Sequence, residues 1–133
     1  MLSIVNPLLT ILNQIKVYHW QTTSFSEHKA LDMAYEALEE SIDDFVEVYQ
    51  GTFGRVKSAS GKFLFELENL QTQNPSSEED AESVDLQEKI NQWIAYLKSF
   101  NNDADLNDKT DLLNIRDEMV ATLNKLKYLI TLD

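Results

Sequence analysis

The chain has 133 residues, with only three glycines, two prolines and no cysteine. This length makes one domain with a full core. The scarcity of turn formers argues against an all-β fold, and the missing thiol excludes a disulfide scaffold, a zinc ribbon and cysteine catalysis. A net charge of −12 opposes direct contact with nucleic-acid phosphates and leaves two readings, plain solubility or the attraction of cations.

Asn6-Pro7 reads as an N-cap followed by proline at the first helical position. Leu8, Ile11, Ile15 and Tyr18 then recur at spacings of three and four, so a first helix should end near Trp20, where Gln21-Thr22-Thr23-Ser24 breaks the pattern. Ser26 is the N-cap expected for a second helix, with Glu27 favoured in its first turn. Leu31, Ala34, Leu38, Ile42, Phe45 and Tyr49 give that helix an apolar stripe to about Gln50, with Gly51 as its stop.

Residues 51–61 read as a connection. Phe63 to Leu70 reads as a short helix, although Phe63-Leu64-Phe65 is also compatible with a strand. Residues 72–85 are a polar, acidic linker. Leu86, Ile90, Trp93, Ile94, Leu97 and Phe100 mark a third main helix. A polar turn at 101–110 leads to a fourth, carried by Leu112, Ile115, Met119, Leu123, Leu126 and Ile130. The expected fold is all-α, a single domain over 1–133: a four-helix bundle with one long connection, between the second and third helices, as in ferritin-like bundles. The apolar run at the N-terminus has no basic flank and no run reaches membrane-spanning length, so a soluble, cytoplasmic protein is expected.

Both histidines of the chain fall between residues 19 and 28, beside a set of carboxylates. His28/Asp32 and Asp43/Glu47 are i, i+4 pairs, so each pair projects two metal-ligating side chains the same way. With His28 at zero on a helical wheel, Asp32, Asp43 and Glu47 fall near about 40°, 60° and 100°, whereas the apolar stripe lies at roughly 240–300°. The four share a face that is not the core of the bundle. Asp32 and Asp43 are also about 16 Å apart along the axis, so one chain does not bring the two pairs to one ion. A second copy does. The two pairs share the midpoint 37.5, so an antiparallel crossing near Ala37 and Leu38 sets His28 against Glu47 of the mate and Asp32 against Asp43 of the mate. A two-fold axis then makes two equivalent sites, which His19 completes. Imidazole with carboxylate suits iron, manganese or zinc.

The segment His19-Trp20, Phe25, His28-x-x-x-Asp32, and eleven residues later Asp43-x-x-x-Glu47, resembles the signature of the DNA-protection-during-starvation (Dps) family, the miniferritins. The resemblance implies that His19, His28, Asp32, Asp43 and Glu47 are ligands of ferroxidase sites shared across a two-fold axis. It implies that Trp20 sits beside the iron and quenches radicals. The cofactor is then iron, oxidised by peroxide or dioxygen. The assembly is a homo-oligomer, at least a two-fold dimer and at most the family's twelve-subunit cage. The turn between the histidines is shorter here than in that family.

Other motifs are weaker. Asp103, Asp105 and Asp108 lack the glycine and closing glutamate of a calcium loop, and Ser24 and Ser26 form no nucleophile–base–acid set with the histidines. The alternative from another class is a non-catalytic helical interaction protein that keeps the bundle and binds a basic partner through its acidic surface.

Overall fold

The computed structural model describes residues 2–70 and 85–132, and helices make up most of them: α1 (Leu2–Gln21), α2 (Phe25–Phe53), α3 (Leu86–Lys98) and α4 (Thr110–Leu129). A 3-10 turn, Ser99–Asn102, prolongs α3. Side-chain contacts fix their directions. α1 and α2 are joined through Thr22–Ser24, and Val5, Leu9 and Leu12 at the start of α1 meet Ile42 and Val46 late in α2, so the two are antiparallel. Trp93 lies against Tyr18, with ring centroids 6.2 Å apart, and Phe100 against Phe45 at 5.8 Å, so α3 runs parallel to α2. In α4, Arg116 reaches Leu97, while Leu126 and Leu129 flank Ala30 and Ala34, so α4 is antiparallel to both. The order is up, down, down, up. A parallel α2–α3 pair forces the chain to travel the length of the bundle between them, which explains the one long connection.

The apolar stripes of all four helices converge on one core, with Tyr18, Phe45, Leu31, Leu38, Ile90, Leu112 and Leu123 fully buried. Each such side chain contributes about 1.5–3 kcal/mol of transfer free energy. Burial makes the Tyr18 phenol harder to ionise, and the Glu68 carboxylate adds to this.

Four local expectations are corrected. α1 does not begin at Asn6-Pro7, because Ile4 and Val5 are buried with the core and extend the helix to Leu2. Pro7 sits so near the start that it forfeits only the bond to the carbonyl of residue 3, and the Thr10 hydroxyl donates to the Asn6 carbonyl at 2.7 Å. The N-cap of α2 is Ser24, whose Oγ accepts from the Glu27 N–H, and Ser26 instead donates to the Leu132 carbonyl. α2 continues through Gly51 because Tyr49 and Phe53 still pack inward, and it stops at Gly54, whose φ of 90° suits glycine.

The fourth correction is the largest. Residues 63–69 form no helix; they are an extended strap along α1. Phe63 lies beside Leu9, and the Leu70 N–H donates to Gln21 Oε1 at 2.8 Å. That is about 18 Å of helix axis, which seven residues cover when extended at about 23 Å but not as a helix of about 10 Å. Buried Gln14 secures the middle, donating to the Glu68 carbonyl and accepting from its N–H, and Lys89 of α3 pairs with the Glu68 carboxylate at 3.0 Å. Most of the acidic linker expected at 72–85 lies outside the described residues.

At the far end, Arg116 is almost fully buried. Its guanidinium donates to the Leu97 carbonyl and Asn101 Oδ1, both at 2.7 Å, and to Asp117 Oδ1 at 2.9 Å, closing the C-terminus of α3. Arg116→Ala should therefore cost about 2–4 kcal/mol in urea unfolding, with Arg116→Lys restoring only part. Exposed Arg55→Ala should stay within about 0.5 kcal/mol.

Candidate metal centre

Two imidazoles close the α1–α2 turn. His19 is in the last turn of α1 and His28 in the first turn of α2, and the bend at Thr22–Ser24 folds them face to face. The ring centroids are 3.8 Å apart with planes inclined by 18°. The exchange between them is reciprocal: His19 Nδ1 lies 2.8 Å from the His28 carbonyl oxygen, and His28 Nδ1 lies 2.8 Å from the His19 carbonyl oxygen. A carbonyl only accepts, so each Nδ1 carries the proton and donates it. Each Nε2 is left with its lone pair, and among the described residues neither has a partner. A ring held through Nδ1–H to a backbone carbonyl is the usual arrangement of a metal-ligating histidine.

Phe25 extends the stack on the side of His28, with centroids 6.5 Å apart, and the Lys29 ammonium lies 5.1 Å from the centre of the Phe25 ring. Trp20 and Phe25 are exposed, at 67% and 73%.

The carboxylates lie as the wheel places them. Asp32 is half-buried one turn after His28, and Asp43 and Glu47 are exposed about three and four turns further on. Asp43 stands at the mouth of an apolar groove of about 400 Å³ between α1 and α2, lined by Leu9, Leu12, Ile42, Val46 and Phe63. Among the described residues of a single chain, no three His, Asp or Glu side chains come together as a metal cluster. The fold joins His19 to His28 and leaves Asp43 and Glu47 well along the same helix.

Two nearly parallel rings also restrict what they hold. A metal sits in the plane of its imidazole, about 2 Å from the nitrogen, and planes 3.8 Å apart and inclined by 18° do not meet at that range. The two Nε2 atoms are therefore not placed to share one ion. The reciprocal exchange has no signal in residue spacing beyond two histidines flanking a short turn. Of the acidic row along α2, helical spacing singled out Asp32, Asp43 and Glu47; Glu36, Glu39, Glu40 and Asp44 complete it, and none of the seven is ion-paired among the described residues.

Because the rings share one stack, His19→Ala and His28→Ala should each cost about 1–2 kcal/mol in urea unfolding. The double substitution should cost less than the sum by about 0.5 kcal/mol or more. Strict additivity would contradict the stacked pair.

The chain belongs to the family of unknown function DUF5856, which it matches over residues 19–130. That span opens at His19 and takes in every candidate ligand. Neither the curated proteins nor the solved structures provide a match. No helix among the described residues is long and apolar enough to cross a membrane.

Proposed function

We propose that the chain binds ferrous iron at sites completed by a second copy and oxidises it, in the manner of the miniferritins that its His/Asp/Glu segment resembles. The observation that carries the reading is the reciprocal Nδ1–carbonyl exchange, which leaves an unshared Nε2 on each of two stacked rings. Oxidant, iron and ligands then divide as follows. His19 and His28 each take one Fe(II) through Nε2, with Asp32 one turn below His28. Asp43 and Glu47 of the mate supply the remaining oxygens across the two-fold axis set by the shared midpoint of the two pairs. The donor set fits iron, and zinc or manganese would fit the same atoms. Two ions held together give up two electrons, the number needed to reduce one peroxide to two waters with two protons. Water and carboxylate then hold the ferric product. Trp20, next to His19 and largely exposed, offers an oxidisable indole beside the site.

A second reading rests on the same unpaired acidic row: a non-catalytic bundle that holds a basic partner on α2. The two diverge on iron. Anaerobic Fe(II) followed by peroxide should produce ferric absorbance in the wild type faster than in buffer. His28→Ala and Asp43→Ala should each slow it at least about tenfold while keeping the helical circular dichroism. A wild-type rate equal to buffer would remove the ferroxidase reading.

A further inference from the structure

The outward face of α2 carries Asp32, Glu36, Glu39, Glu40, Asp43, Asp44 and Glu47, against a single basic residue, Lys29. That lysine is already placed over the Phe25 ring. No ion pair among the described residues neutralises any of the seven carboxylates. We infer that metal binding is what permits two chains to associate through this face: the stripped chain is held apart by its own carboxylates, and the ion acts as the bridge. The inference rests on the shared-site reading above and concerns its regulation.

The register makes the argument specific. An antiparallel crossing at 37.5 opposes Asp32 to Asp43 of the partner subunit, and by the same symmetry Glu36 to Glu39 of the partner subunit. Each opposition occurs twice, so four like-charge pairs line the crossing. Like charges placed face to face across an interface oppose association. The face has little to offset them: its large exposed apolar side chains are Phe25 and Met33, and Ala37 at the crossing is small. Divalent ions change the sign of two of the four oppositions, because Asp32 and Asp43 of the partner then share a cation, with His28 and Glu47 of the partner closing the same site. The Glu36–Glu39 oppositions carry no proposed ligand and keep repelling. They hold the stripped chain monomeric and set how much metal is needed.

Sedimentation equilibrium of the full chain tests this, first stripped with chelator and then titrated with Co(II), whose visible absorption reports ligation independently of mass. The stripped chain should sediment near its monomer mass of 15.3 kDa. Co(II) should raise it to twice that or an even multiple, in step with the absorption band. Glu36→Gln combined with Glu39→Gln removes repulsion without touching a proposed ligand. It should tighten association of the stripped chain by about tenfold or more and leave the Co(II) band unchanged. A stripped chain that is already dimeric overturns the inference, and so does a Co(II) band that develops on a chain that stays monomeric; in both cases the band shows that metal binding itself survives. Absence of any Co(II) band removes the metal reading and this inference with it.

Discussion

The site depends on one interaction, the exchange of two imidazole N–H bonds across the turn between α1 and α2. Each ring donates from Nδ1 to the carbonyl of the other histidine at 2.8 Å. The same contact performs two tasks. It satisfies the His19 carbonyl in the last turn of α1, where carbonyls otherwise lack intrahelical partners, and ties the His28 carbonyl of α2 to the same turn. It also fixes the tautomer, so that the only lone pairs left on the rings are at Nε2. A structural clasp and a pair of oriented donors are one arrangement. The stacking distance of 3.8 Å then keeps the two rings from converging on one ion, which is why the proposed site assigns one ion to each.

Around that clasp the fold divides labour along α2. The helix packs one side on α1 and the other on α4 through Ala30, Ala34, Leu38, Ile42 and Phe45, and turns its acidic row outward. Among the described residues no ion pair neutralises that row. Desolvating it without cations is expensive, and a mate that brings the same row doubles the cost. In the shared-site reading proposed above, metal, symmetry and charge are aspects of one constraint: the carboxylates and imidazoles that one chain separates along a helix meet only when a second chain approaches, and that approach needs positive charge.

The four helices and the long connection were legible because buried side chains recur at helical spacing wherever a stripe faces the core, as at Leu31, Leu38, Phe45 and Leu112. The outward placement of Asp32, Asp43 and Glu47 followed from the same periodicity. Termini were less legible. Pro7 and Gly51 are local stop signals that burial of Ile4, Val5 and Tyr49 outweighs. Ser24 and Ser26 are equivalent as caps until the turn geometry chooses between them. The strap at 63–69 was misread as a helix because its conformation is set by the distance it must span along α1, which composition does not encode. The imidazole exchange is of the same kind. Two histidines nine residues apart gave the elements of the site, and only the fold of the turn gave their mutual orientation.

The central claim, that both rings hold their proton on Nδ1 and present Nε2 to metal, is tested most directly by long-range ¹H–¹⁵N correlation spectra of the two imidazoles, before and after addition of Zn(II). The account predicts the Nδ1–H tautomer for His19 and for His28, with Zn(II) moving the Nε2 resonances and leaving the Nδ1 protons in place. Protons on Nε2 in the free chain, or a Zn(II)-induced shift carried by Nδ1, would contradict it.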